Sequence, residues 1–229
     1  MSEYRFGTAG FYFGSPFNES EALSQSDMEV NAQYIYSWLS QVGGWTLNAV
    51  AGVLGNMQAE SSINPGRWQS DNIGNMSGGY GLVQWTPASS YIDWCYKEFG
   101  SDSDPSMMDL QLNRILDELN NNYQYYKTDE YPLTFKEFTT SNLSPYYLAR
   151  AFGRNYERSY AILYGTEEEK ENALNQRGRF AEAWYSYLSG NDPPDPVDPP
   201  TDPDVPQQLN KKRKYNFLLF TSARRRMQR

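Results

Sequence analysis

An apolar helical face that runs straight into a polar loop constrains this chain most. Leu47, Val50, Val53, Leu54 and Met57 recur at helical spacing after Thr46, whose hydroxyl can cap the first turn. The pattern fails beyond Met57, and Asn64-Pro65-Gly66 stops the helix, because Pro cannot continue it and disfavours helical conformation just before itself. Gly52 and Gly55 are small enough to let another helix approach closely, at a cost in helix propensity. Glu60 thus stands at the end of an otherwise apolar helix.

The rest of the chain is punctuated in the same way. Ser26 with Glu29 reads as a capping box, followed by Val30, Tyr34, Ile35, Trp38 and Leu39 at helical spacing and a stop at Gly43-Gly44. Thr86-Pro87 reads as N-cap and first residue of a helix to Phe99, closed by Gly100, and Asp104-Pro105 repeats the device for a helix through about Asn120. Thr134 with Glu137 opens a short helix, and Ser144-Pro145 opens one to about Arg158. Thr166 with Glu169 opens the last, which carries Leu174, Phe180, Trp184, Tyr187 and Leu188 and ends at Gly190. Residues 66–85 differ, with Gly, Asn, Ser, two Trp and short possible strands at 66–69 and 80–85. They read as a small β-hairpin or irregular loop. The expected class is α+β, predominantly α-helical, with about seven helices and one small β or loop insertion after the second.

Domain boundaries follow from composition. Residues 1–25 include Phe6-Gly7-Thr8-Ala9-Gly10-Phe11-Tyr12-Phe13-Gly14, aromatic and without helical period. They read as an arm that packs its aromatics on the domain or docks into a larger assembly. Residues 26–190 hold the helices. Residues 191–206 contain seven Pro and five Asp, an extended self-repelling linker. Of the 20 basic residues, 8 fall in 211–229, which hold no acid, so residues 1–210 set 12 basic against 28 acidic side chains, net −16. The body is therefore a poor nucleic-acid binder, and no nucleic-acid partner is expected. The basic tail, 207–229, reads as flexible or as a contact for anionic wall polymers, a membrane surface or a partner protein. No apolar run reaches the ~20 residues of a transmembrane helix. The first residues lack a basic stretch followed by an apolar block, so no cleaved secretory signal is expected.

The chain has no His, and Cys95 is its single Cys. That excludes Ser-His-Asp triads, His-ligated zinc and an intrachain disulfide, and leaves Cys95 as a buried small apolar residue at a helical core position. No metal or organic cofactor is implied. Acid–base work falls to carboxylates, and glycoside hydrolysis is the common reaction class run by carboxylates alone. Glu60 fits the acid: the negative end of its helix dipole and partial burial beside Met57 and Trp85 both favour a protonated carboxyl. The only acid between Glu60 and Asp93 is Asp71, within Ser70-Asp71-Asn72, which is also ordinary turn chemistry.

Glu60-Ser61, Pro65, Gly81-Leu82-Val83-Gln84 and Pro87 resemble the pattern of soluble lytic transglycosylases and goose-type lysozymes. The resemblance is tighter to phage tail-tip lysozyme domains, through Asn56-Met57-Gln58-Ala59-Glu60-Ser61, Asn64-Pro65-Gly66 with Trp68-Gln69, Gly81-Leu82-Val83-Gln84-Trp85-Thr86-Pro87-Ala88 and a late Tyr156-Glu157-Arg158. It covers roughly residues 26–190 and implies a lysozyme-like fold. By resemblance Glu60 is the general acid, with Asp71 in the region where lysozymes place a second carboxylate. Ser61 shapes the site, Gln84 hydrogen-bonds sugar groups, Trp68, Tyr80 and Trp85 offer flat surface to sugar rings or pack in the core, and Tyr156 belongs to a motif that closes the cleft. The implied activity is cleavage of the β-1,4 bond between N-acetylmuramic acid and N-acetylglucosamine. The implied partners are bacterial peptidoglycan and other phage tail proteins, and the implied location is the virion tail. Lytic transglycosylase, lysis-stage endolysin and catalytically silent wall-binding tail protein stay open as alternatives. The zinc endopeptidase activity that follows in some tail-tip lysozymes is not expected of this sequence, which has no His.

Overall fold

The computed structural model of the chain describes residues 11–190. Its helices are α1 (Gln25–Gly43), α2 (Leu47–Ser61), α3 (Ser89–Phe99), α4 (Met108–Asn121), α5 (Phe135–Thr139), α6 (Pro145–Phe152), α7 (Tyr160–Tyr164) and α8 (Glu167–Ser189). None is long and apolar enough to cross a membrane. The expected boundaries at Thr46, Thr134, Ser144, Thr166 and Gly190 hold. The Thr46 hydroxyl accepts from Ala49 N, capping boxes form at Thr134/Glu137 and Thr166/Glu169, and Gly190 ends α8 in the left-handed region at φ 71°.

Four boundaries are corrected. The cap of α1 is Ser24, accepting from Asp27 N, and not Ser26. Helix α3 starts at Ser89, because the Thr86 hydroxyl donates back to Gln84 O at 2.9 Å instead of capping the helix. Helix α4 starts at Met108, because the Asp104 carboxylate closes a local turn on Ser106 N and Oγ instead of capping a helix. The segment from Pro145 leaves α-geometry at Gly153 for one π turn, Gly153–Glu157, and α7 is an element the sequence pattern did not announce.

Of the two readings for residues 66–85, a small β-hairpin or an irregular loop, the structure has the loop. Among the described residues the backbone pairs as strand only at two isolated bridges, Trp68 with Tyr80 and Tyr80 with Trp85. Ser70, Asp71, Gly81 and Gln84 all have positive φ, so the chain leaves extended conformation too often for a ladder to propagate. The fold is predominantly helical, and residues 62–88 form an irregular loop.

Helix α2 lies at the centre, in contact with α1, α5, α6 and α8. Every residue from Ala49 to Met57 is buried. The two glycines make this possible. A Cβ on Gly52 would stand 2.9 Å from Leu148 Cβ of α6. A Cβ on Gly55 would overlap the Arg177 carbonyl oxygen of α8 and stand 2.8 Å from Ala181 N. Asn56 ties α2 to α6 by donating to Gly52 O and Ala149 O, each at 2.9 Å. Beyond it, Tyr125, Phe135, Phe138, Phe152 and Tyr156 form one aromatic cluster, with Phe152 and Tyr156 stacked at 4.3 Å across the π turn.

The exit of α2 is held from several sides. Ser62 and Ile63 both take left-handed φ, 55° and 52°, a conformation a β-branched residue adopts only when its surroundings impose it. Ile63 is fully buried and its carbonyl accepts from Asn31 Nδ2 at 2.8 Å. Asn64 then binds the preceding segment of chain: its Oδ1 accepts from Ser15 N and Gly66 N, and its Nδ2 donates to Ser15 Oγ and Glu21 O. Phe17 lies against Trp68 and Tyr80, and its carbonyl accepts from Trp68 Nε1 at 2.9 Å.

The α2–α8 approach yields a prediction. Alanine is favoured over glycine in a helix by about 1 kcal/mol, but overpacking a tight contact costs about 1–3 kcal/mol. Because the Gly55 neighbour is backbone, Gly55→Ala lowers unfolding stability in urea, in contrast to an exposed helical glycine.

Candidate active-site cleft

Helix α2 delivers Glu60 to a cleft of about 410 Å³. Three segments line it: Glu60 itself, then Arg67, Trp68, Gln69, Ser70, Val83, Gln84 and Thr86 from the loop, and Glu157, Arg158, Ser159 and Tyr160 from the end of the π turn and the start of α7. The last turn of α2 is turned outward just enough for this, with the Glu60 side chain 17% exposed. Its carboxylate is not in the apolar setting the sequence suggests: Arg177 Nη2 of α8 donates to Glu60 Oε1. Arg177 is itself buried, anchored through Nη1 to Ala173 O at 3.0 Å, and its Nε has no hydrogen-bond partner. A pair this sheltered is costly to break from one side only.

Glu157 reaches the same cleft. Its Oε1 is buried without a hydrogen-bond partner. Burial first, then the negative charge of Glu60, push its carboxyl well above the ordinary carboxylate range, and the Arg177 and Arg158 charges only partly oppose this.

The loop is fixed to the helix end by buried polar contacts. Ser61 Oγ donates to Leu82 O at 2.9 Å, which sets residues 81–84 beside Glu60. Gln84 Nε2 donates to Arg67 O and Gly81 O, both at 3.0 Å, so its amide nitrogen supports the cleft wall. Gln111 of α4 donates to Pro65 O and accepts from Leu82 N.

The remaining residues singled out in the sequence lie as follows. Asp71 is half exposed, bonded to Ser20 Oγ and ion-paired with Arg67 at 3.2 Å, and is not among the cleft-lining residues. Trp68 lines the cleft at its edge but is 1% exposed, and Tyr80 and Trp85 are 0% and 5% exposed. Their rings stack inward, Trp85 on Tyr91 at 4.6 Å and Tyr80 against Trp68 at 4.5 Å. Tyr156 is buried behind the cleft and donates its hydroxyl to Glu118 Oε2. The ring that does border the cleft with an open face is Tyr160, 78% exposed.

Arg177 and Glu118 were missed by sequence reasoning. Arg177 had a signal: it interrupts the buried stripe Leu174, Gly178, Ala181, Trp184 of α8, the helix that packs on α2 and α6, and a charge on a buried stripe requires a partner. Glu118 had none, because its partners are scattered. It accepts from Trp85 Nε1 at 3.0 Å, Arg114 Nε at 2.9 Å and Tyr156 OH, joining the loop, α4 and the π turn. Burial raises its carboxyl to about 7 against the lowering pull of Arg114.

The fold, the cleft and the motif order define a class. The chain belongs to the phage tail lysozyme family, which matches residues 30–188. Morphogenesis protein 1 of Bacillus phage B103 is 45% identical over 174 residues, covering 76% of this chain and 43% of that protein. The chain thus spans less than half the length of that relative.

Glu118 yields a pH prediction. A carboxyl raised from its ordinary range to about 7 binds more proton folded than unfolded between those limits. Stability therefore falls as pH rises through that window, by on the order of 3 kcal/mol from this group. Urea unfolding from pH 4.5 to 7.5 shows the fall in wild type and a shallower one in Glu118→Gln, the remainder belonging to Glu157 and Glu182, whose carboxyls burial also raises.

Proposed function

We propose that this chain is a muramidase that cleaves the β-1,4 bond between N-acetylmuramic acid and N-acetylglucosamine in bacterial peptidoglycan. The observation that carries the reading is the place of Glu60. A sheltered carboxyl ends the buried central helix and opens on a cleft lined by guanidinium, amide and hydroxyl groups. Such groups suit a glycan that carries N-acetyl groups, hydroxyls and carboxylates. Glu60 acts on the glycosidic oxygen, Ser61 and Gln84 hold the wall that positions the sugar, Trp68 packs beneath that wall, and Tyr160 contributes ring surface at the rim. Tyr156, through Glu118, keeps the π turn and the Trp85 loop in register. No metal or organic cofactor enters.

Membership in a phage tail lysozyme family and a relative named a phage morphogenesis protein support a virion tail component that opens the host wall locally during genome entry. Its partners are then peptidoglycan and other tail proteins. On this reading residues 26–190 are the catalytic domain, 191–206 a linker and 207–229 a basic tail. A second reading, lytic transglycosylase, is favoured by one observation. Asp71 is engaged by Arg67 and Ser20 outside the cleft, so the carboxylate that would activate water from that loop is directed elsewhere.

The test is mass spectrometry of muropeptides released from purified walls by wild type and by Glu60→Gln. Reducing-end N-acetylmuramic acid from wild type, reduced at least about 100-fold in the variant, is the expected result for loss of a general acid. Products lighter by one water would make the enzyme a transglycosylase. Reducing-end N-acetylglucosamine would move the cut to the other linkage. No release by wild type, or equal release by the variant, would overturn the reading and leave a wall-binding tail protein.

A further inference from the structure

We infer that Glu157 is the working partner of Glu60, and that the two carboxyls together hold the proton delivered to the scissile oxygen. The inference rests on the glycosidase reading above. Both side chains border the same cleft, and they arrive from unconnected elements, the end of α2 and the end of the π turn. Their surroundings differ. Glu60 is bonded by the Arg177 guanidinium. Glu157 has one carboxyl oxygen buried without any hydrogen-bond partner, which suits a neutral acid. Two carboxyls in a shared site hold one proton between them, because like charge disfavours ionising both.

The charged and titratable groups that face Glu157 are Glu60 from α2, Glu118 from α4, Arg177 from α8 and its neighbours Tyr156 and Arg158. Burial and the two glutamates favour its protonated form, and the two arginines restrain the effect. The π turn supplies the geometry. Stacking of Phe152 on Tyr156 and the bond of Tyr156 to Glu118 hold the turn from behind, and Arg158 closes it at φ 49° with its N–H on Gly153 O at 2.9 Å. Glu157, the next residue after the anchored Tyr156, is thereby turned to the cleft side.

In the reaction the proton of the pair passes to the glycosidic oxygen as the C1–O bond breaks and its electron pair goes to that oxygen. The oxygen of a water molecule then bonds to C1, and the proton lost by that water returns to the pair. The two carboxyls end as they began. In this cycle Arg177 keeps the doubly ionised pair tolerable between the two proton movements.

Two experiments test this on the full chain. The first follows kcat/KM against pH on a soluble peptidoglycan fragment for wild type, Glu157→Gln and Glu157→Asp. The expected result is a fall of about 100-fold in Glu157→Gln at neutral pH, partial recovery in Glu157→Asp, and displacement of the alkaline limb to lower pH in Glu157→Gln. An unchanged limb with unchanged rate would overturn the proposal. The second does not depend on how that variant folds. Carboxyl carbon NMR of Glu157 in wild type is expected to titrate above the ordinary carboxylate range, and to move down in Glu60→Gln as the neighbouring charge is removed. Titration in the ordinary range, or no response to Glu60→Gln, would overturn the proposal. Wild-type protein that cleaves no wall but gives the expected NMR titration would sink the glycosidase reading and not the carboxyl pairing.

Discussion

At Gly55 helix α8 comes so near α2 that the Arg177 carbonyl occupies the space a methyl group would need. The guanidinium of that same residue meets Glu60, little more than a turn further along α2. One close helix contact therefore sets both the packing of the domain and the electrostatic environment of its central carboxylate. Gly52 does the corresponding work toward α6, whose continuation carries Tyr156 and Glu157. With a bulkier residue at either position the helices would stand apart, and the three segments of the cleft would no longer meet.

The chemistry of the cleft is decided by unequal treatment of similar groups. Glu60, Glu118 and Glu157 are all sheltered carboxyls within the same region. Glu60 is bonded by a guanidinium, Glu118 accepts from an indole, a phenol and a guanidinium, and Glu157 leaves one oxygen without a partner. Burial is the first cause that raises Glu118 and Glu157, and the number and charge of the groups that reach each decide how far it is opposed.

Much of the helical framework could be read from local signals. Thr46, Thr134, Ser144 and Thr166 cap helices where the pattern places them, because a hydroxyl beside a helical run has few better uses. Ser26, Thr86 and Asp104 carry the same signal and do not cap, since each had a competing local arrangement that a one-dimensional pattern does not reveal. The irregular loop was recognisable from composition, but not its path, which depends on positive φ at Ser70, Asp71 and Gln84, residues with no obligation to adopt it. Glu60 was legible because it breaks an apolar face. Arg177 and Glu157 gain their meaning only from α2, more than ninety positions earlier in the chain. Tyr80 and Trp85 could be read from the sequence either way, since aromatic rings near a cleft motif are equally suited to filling the core behind it, where both are buried.

Asn64 connects the cleft to a part of the chain that precedes the family match. Its amide clasps Ser15 and Glu21, Gly66 has no room for a side chain against the Ser15 carbonyl, and Phe17 seats the Trp68 indole. The segment from 12 to 21 thus acts as a buttress against the loop, so the loop that lines the cleft is braced by sequence outside the span that matches the family. Members with different leading segments would then carry the same cleft residues on differently braced loops. A change at Ser15 or Phe17 would then reach the cleft through its support without altering a residue that lines it.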